Sequence, residues 1–334
     1  KPSAINHALP RAIGSYIWVF DDDDVACKDA LEKHVGLLER RPHLAFSCSG
    51  SYRCVDGQSP ETDLLEVQSV NPVRPFPEKE YLIELMFSSY TASPAVVVRR
   101  SVQEKAGFYR EDLHRSQDLD MALKWSLIGP AGRIEDPRPT YYRRYHDGLR
   151  GPAHNRFAYS KSVALSRRAE RDILQSLESE LSMTHYLPYD YRDSELTESL
   201  LPLALIRRLA VRLRRGLWSG AVEDIRRLRQ FQLPVHPLTA SSRAYLRSSL
   251  NHVYAAEELV ADTAGSTSLR QVLAQTNLDL VKQDIYKGLY WLAVRGVRER
   301  DWRVARVGTV AAWRLFSIRD AYDAVVARQE SEAL

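Results

Sequence analysis

Four consecutive aspartates, Asp21 to Asp24, end the apolar stretch YIWVF at residues 16–20. Two carboxylates in contact repel by roughly 4 kcal/mol at a surface-like dielectric. Such a cluster needs water, a neighbouring cation, or a metal ion with its ligand. Clustered hard oxygens suit Mg²⁺ or Mn²⁺, which keep several waters and bridge to substrate phosphates. Metal plus diphosphate would relieve the repulsion. The same residues also fit a solvated acidic turn whose charges favour the start of a following helix.

A second acidic pair, Asp118 and Asp120, opens the stretch SQDLDMALKWSLIG. Two residues apart on a helix, their side chains diverge, so only one can face a site. Both also suit a first helical turn, where acids stabilise the helix dipole. His146 follows YYRRY and precedes an Asp-Gly turn. A lone histidine in such a place is more often a packed or surface residue than a ligand.

The elements that position these residues alternate. IGSYIWVF reads as a strand entered through Gly14, and KDALEKHVGLLERR as a helix with Leu31, Val35 and Leu38 on one face. LAFSCSG (44–50) is a second strand. Residues 51–76 hold Gly57, Pro60, Pro72 and Pro75 and read as a long surface loop. EKEYLIELMF is a helix and AVVVRR (95–100) a strand. Ser101 with Glu104 spells a capping box, Gly107 a stop, and Ser116 a cap for the helix after it. PTYYRRYH is a last strand. Strands alternating with helices predict an α/β layer over 1–150, in which ligands bind beyond the carboxyl ends of strands.

From about residue 155 the chain becomes Leu/Ala/Arg-rich helix, with breaks near Pro188, Pro234–Pro237 and Gly265. LAVRLRRGLWSGAVEDIRRL, from Leu209, is echoed by LAVRGVRERDWRVARVGTVAAWRL, from Leu292. Each has a basic turn, a tryptophan (Trp218, Trp302) and a second amphipathic stretch, which predicts helical hairpins of tetratricopeptide-like type. Residues 201–232 hold arginines at 207, 208, 212, 214, 215, 226, 227 and 229. They read as solvated helix faces, or as contacts to anionic lipid headgroups or an anionic acceptor.

The 334 residues suggest two domains, and no apolar run is long enough for a membrane-spanning helix. A net charge of +4 is too small to mark a nucleic-acid binder, and no aromatic platform accompanies the arginines. Cys27, Cys48 and Cys54 are odd in number and irregularly spaced, so neither a disulfide framework nor a zinc site is indicated and a cytoplasmic setting is expected. No signal peptide is legible.

Three stretches together resemble a known family. ALPRAIGSYIWVFDDDDVACKDALEKHVGLLERRP is similar to the central segment of family-2 glycosyltransferases of the GT-A fold, where a strand carries the DxD motif. AVVVRRSVQEKAGFYREDLHRSQDLDMALKWSLIG resembles the acceptor-side segment of that family, and PTYYRRYHDG its closing strand. The resemblance covers roughly 1–150 and implies a GT-A-like, Rossmann-like sheet, followed at 151–334 by an all-α region. The implied roles are metal binding by Asp21 and Asp23, donor contacts by Asn6, Asp21 and Asp22, with Asp24 as a neighbour, and base catalysis by Asp118. His146 would be a late-strand contact to metal or diphosphate. Ile5 stands where the family has arginine, and Gln117 where glutamate is common.

The implied reaction is inverting transfer of a sugar from a nucleotide-diphosphate sugar to an acceptor hydroxyl on a glycan or lipid-linked molecule. Mn²⁺ or Mg²⁺ would be the cofactor, and peripheral contact at the inner face of a membrane would suit polysaccharide synthesis. The family's usual N-terminal strand of "VSVIIPTYN" type has no match, and the chain starts at Lys1. The sheet is therefore expected to be truncated at its N-terminus, and the piece alone inactive. A non-catalytic helical scaffold with a degenerate transferase domain is the alternative, although it would need neither Asp118 nor the DxD. A nucleotidyltransferase would need a glycine- and lysine-rich phosphate loop, and none is present.

Overall fold

The computed structural model describes residues 1–55, 66–73, 75–88, 92–145 and 159–317. They fall into two compact units, Lys1–Ser176 and Leu177–Leu334. The first mixes strands and helices, and the second is helical, as the alternation followed by helix-rich sequence predicts.

In the first unit, α1 (Pro2–Ala8) precedes the short strand β1 (Tyr16–Ile17). β2 (Val25–Ala26) and α2 (Ala30–Arg40) follow, then β3 (Phe46–Cys48), β4 (Ser51–Val55) and β5 (Glu66–Asn71). After α3 (Tyr81–Phe87) come β6 (Val96–Arg99), α4 (Arg100–Ala106), α5 (Gln117–Ile128), β7 (Ala131–Arg133), β8 (Tyr141–Tyr145) and α6 (Tyr159–Leu177). One sheet has the order β1-β6-β3-β7 and the other β2-β8-β4-β5. Only β3/β7 and β4/β8 pair in parallel among these neighbours. β3 runs into β4 through Ser49 and Gly50, so consecutive strands pass from one sheet to the other.

Several expectations need correction. The stretch 51–76 is not all loop. Ser51–Val55 and Glu66–Asn71 pair as an antiparallel ribbon whose Val67 and Val70 are exposed, so it lacks the clear in–out alternation of a half-buried strand. The buried face of α2 is Ala30, His34, Leu37 and Leu38, whereas Leu31 is 50% exposed. Ser101 lies inside α4 and makes no capping bond, and Glu104 pairs with Arg100 at 3.8 Å. Gly107 does end that helix, with φ 76°. Ser116 sits at the start of α5 in the left-handed region, φ 57°, again without a side-chain cap.

His34 has no exposure and holds the two sheets together. Its Nδ1 lies 2.8 Å from Ser47 Oγ on β3, and its Nε2 lies 3.2 Å from Thr140 Oγ1, just before β8. Burial pushes its pKa down to about 3, and the charge of Lys33 adds to the effect.

The second unit contains α7 (Leu200–Arg215), α8 (Trp218–Leu228), α9 (Leu238–Ser249), α10 (Val253–Ala261), α11 (Thr263–Ala274), α12 (Asp279–Arg298) and α13 (Trp302–Leu315). α7 packs on α8 and α9, and α9 on α12; α8 packs on α11, which packs on α13. α12 and α13 form the second hairpin of the sequence echo. They approach closely because Gly308 lies over the α12 backbone, where a Cβ would fall 2.7 Å from Ala293 N. The chain break lies at Asp262, whose side chain accepts from the Gly265 N–H at 2.8 Å, so Gly265 belongs to α11.

The arginines of 201–232 are not all on the solvated surface. Arg207 is fully buried, donates to Ser242 Oγ at 2.8 Å and lies 5.2 Å over the Tyr245 ring. Arg208 and Arg212 both reach the buried Asp224, at 2.6 and 3.0 Å. Sequence spacing alone cannot distinguish an arginine facing solvent from one facing a buried carboxylate.

Candidate active site

β1 ends at Ile17, and aromatic side chains carry the next residues into the acidic turn. Trp18 Nε1–H donates to the Pro94 carbonyl at 3.0 Å. Phe20 packs edge-on between Trp18, 4.7 Å away, and Tyr141, 6.2 Å away. The Asp24 N–H then donates back to the Asp21 carbonyl at 3.3 Å, closing a tight turn. That turn brings one carboxylate oxygen each from Asp21, Asp23 and Asp24 within 4.8 Å of one another. Asp22 is exposed and stands outside this group.

Three features offset the repulsion. Lys1 makes an ion pair with Asp21 and lies 3.4 Å from Ser93 Oγ. The Arg144 backbone N–H donates to Asp24 Oδ1 at 3.0 Å, and Arg143 adds positive charge beside Asp24. Burial pushes the Asp24 carboxyl up to about 6, helped by the charges of Asp23 and Asp21, so it is ionised at neutral pH but takes up a proton in mildly acidic solution. Three converging hard oxygen donors with a shared excess of negative charge fit a divalent cation of the Mg²⁺ or Mn²⁺ type.

Asp118 lies in the first turn of α5 and is half-buried, with Oδ1 accepting from the Leu119 N–H at 3.0 Å. Burial raises its pKa, while Lys1 and Arg143 pull the other way. Lys1 therefore acts on both Asp21 and Asp118, and Arg143 on both Asp24 and Asp118. Buried Tyr109 is raised by burial and then by the charges of Asp118 and Asp21. Asp118 and the aspartate cluster therefore lie within electrostatic reach of the same charged groups, Lys1 and Arg143. Asp120 is buried and pairs with Lys124 at 3.0 Å.

Asn6 holds the segment after α4. Its Oδ1 accepts from the Tyr109 N–H at 2.9 Å, and its Nδ2 donates to the Tyr109 carbonyl and to Glu111 Oε1, each at 2.9 Å. An open groove of about 550 Å³ lies there, lined by Ser3, Asn6, His7, Phe108, Tyr109 and Glu111. His146 lies outside the described residues. Sequence reading missed Lys1, Tyr109 and Arg143. The only available signal was the double arginine of YYRRYH, because alternation along a strand turns just one of the pair toward a given face.

Residues 1–107 match the model of the family described as Glycosyl transferase family 2. This segment belongs to that family. Members of that family are glycosyltransferases that use nucleotide-sugar donors, often with a divalent metal. The match includes the aspartate cluster and ends at Gly107, before Asp118. No curated protein matches the chain.

Proposed function

We propose that the protein is an inverting glycosyltransferase that moves a sugar from a nucleotide-diphosphate sugar to an acceptor hydroxyl. The observation that carries this reading is the convergence of Asp21, Asp23 and Asp24, with Asp118 sharing Lys1 and Arg143 as neighbours. Asp118 accepts the proton of the acceptor hydroxyl, whose oxygen attacks the anomeric carbon as the nucleoside diphosphate leaves from the opposite face. Its burial favours this role, because a raised carboxyl pKa makes a better base at neutral pH. Asp21 and Asp23, with Asp24, would hold a divalent cation that offsets charge on the departing diphosphate. Asp22 stays open toward the donor, and Asn6 supports that side by fixing the Tyr109 backbone. His146 remains a proposed late contact to metal or diphosphate.

The acceptor in this reading is a glycan or lipid-linked molecule of cell-surface polysaccharide synthesis. No described helix is long and apolar enough to cross a membrane, so contact with the inner face of a membrane would be peripheral. Arginines of α8 and of the turn after it, such as the exposed Arg226 and Arg229, would provide it.

The test is binding and turnover of UDP-, GDP- and dTDP-sugars by the full-length protein, with Mn²⁺ and with chelator. Asp23→Asn is expected to abolish metal-dependent donor binding. Asp118→Asn should leave donor binding intact and lower turnover by at least about a hundredfold. Normal turnover by the Asp118 variant would remove the base assignment. Failure of the folded wild type to bind any donor would leave the scaffold reading.

A further inference from the structure

β8 and β4 run side by side in parallel, and their register sorts their residues by face. Ser51 stands opposite Tyr141, Tyr52 opposite Tyr142 and Arg53 opposite Arg143. Neighbours in register share a face, and successive residues along a strand alternate between faces. Tyr52 and Tyr142 stack on one face, with ring centroids 4.9 Å apart. The other face therefore carries Ser51 with Tyr141 and, two residues further along, Arg53 with Arg143. Ser51 and Tyr141 bear this out, since their side chains are hydrogen-bonded.

This second face looks onto the acidic turn. Tyr141 packs against Phe20, 6.2 Å away, and feels the charges of Asp24 and Asp21. The charge of Arg143 acts on Asp24, Asp118 and Tyr141 together. Arg53 follows at one strand spacing, about 5 Å, and is exposed. Like charges directly opposite each other on neighbouring strands destabilise a sheet. Here the like pair borders three converging carboxylates that fit a divalent cation. Two guanidinium groups beside such a cation site match one ligand chemistry well. A diphosphate carries anionic oxygens on two phosphorus centres, and these oxygens are taken up by guanidinium groups and bridged by a hard cation.

We propose that Arg143 and Arg53 form the diphosphate clamp of this site, with Arg143 nearer the carboxylates and Arg53 beyond it. Assigning the diphosphate to a sugar donor rests on the transferase reading above. In that reaction the clamp holds the diphosphate in place before transfer. It then offsets the negative charge that grows there as the bond to the anomeric carbon breaks.

The experiment is calorimetry of Mn²⁺ alone, and of inorganic pyrophosphate with Mn²⁺, on the full chain and on Arg143→Gln, Arg143→Lys and Arg53→Gln. Circular dichroism confirms folding. Pyrophosphate tests the clamp whatever base or sugar the donor carries. Arg143→Gln and Arg53→Gln should each weaken pyrophosphate binding at least about tenfold. Arg143→Lys should recover part of the loss, because it keeps the charge without the planar fork. Arg143→Gln should meanwhile bind Mn²⁺ alone more tightly than wild type, because a positive charge beside the carboxylates is gone. A merely structural arginine would not move the two affinities in opposite directions. Unchanged pyrophosphate affinity in both glutamine variants, or no pyrophosphate binding by the wild type, would overturn the proposal even if a sugar donor binds. Arginine-dependent pyrophosphate binding by a protein that takes no nucleotide sugar would uphold the clamp and overturn the transferase reading instead. Steady-state kinetics tells which substrate carries the group. A raised KM for the donor in the glutamine variants supports the assignment, and a raised KM for a phosphate-bearing acceptor alone overturns it.

Discussion

Acidification should weaken the transferase domain through His34. Its imidazole is fully buried between Ser47 and Thr140, with no carboxylate among its hydrogen-bond partners and Lys33 adding positive charge nearby. The folded pKa is about 3, against 6.5 for an ordinary histidine. Above the ordinary value both folded and unfolded chains hold the ring neutral, so stability is independent of its charge. As pH falls below it, the unfolded chain takes up a proton that the folded chain refuses, and stability drops by about 1.4 kcal/mol per pH unit. Between about pH 8 and pH 5 the loss is about 2 kcal/mol, reaching roughly 3 kcal/mol by pH 4. Asp24 works in the opposite sense. Its folded value of about 6 lies above the ordinary 3.8, so its contribution increases as pH falls through 6. Partial exposure limits that contribution to about 1 kcal/mol. Comparing wild type with His34→Gln isolates the histidine, since Asp24 is common to both. Urea unfolding across this pH range, followed by hydrogen exchange of the β3 and β8 amides, should show a wild-type loss about 2 kcal/mol larger than the variant's. Equal pH dependence in the two proteins, or an NMR titration of His34 near 6.5, would refute the reasoning.

Asp224→Asn should destabilise the helical unit by about 3–5 kcal/mol, because Arg208 and Arg212 lose their buried counter-charge. A urea melt of the full chain, followed through α7 and α8 by hydrogen exchange, measures it. Gly265→Ala should cost about 1–3 kcal/mol by forcing a methyl against Trp218, with thermal unfolding as the readout. Asn6→Ala removes three hydrogen bonds to residues 109–111 and should cost about 1–3 kcal/mol. Exchange protection of the Tyr109 amide should fall in that variant, and unchanged protection would show that Asn6 does not hold the segment.

Much of the fold depends on chemistry within a few residues, and this is why it can be read in sequence. The apolar periodicities produce α2 and α5, and Gly107 ends α4 because only glycine adopts its backbone angles without strain. The β4–β5 ribbon escaped notice because Gly57 and Pro60 punctuate the stretch and its valines lie exposed. The polar residue in the middle of the α2 core, His34, escaped because its hydrogen-bond partners are 13 and 106 residues away.

The candidate site divides along the same line. Four aspartates after an aromatic strand, and an acid at the start of a later helix, are local features that fit both a metal–diphosphate site and solvated acids beside helix starts. Which acids converge is a tertiary matter. Asp24 joins the cluster because a backbone N–H 120 residues away turns its carboxylate inward, while Asp22 faces solvent. Asp118 shares Lys1 and Arg143 with the cluster, while Asp120, on another side of α5, pairs with Lys124. Lys1 and Tyr109 stand out by no local pattern, and the double arginine of YYRRYH does not say which of its members matters; only the folded chain brings Lys1, Tyr109 and Arg143 near these carboxylates. Sequence determined the supply of charge and its order along the chain. Folding decided where each charge is neutralised, because electrostatic neighbours are set by distance in space.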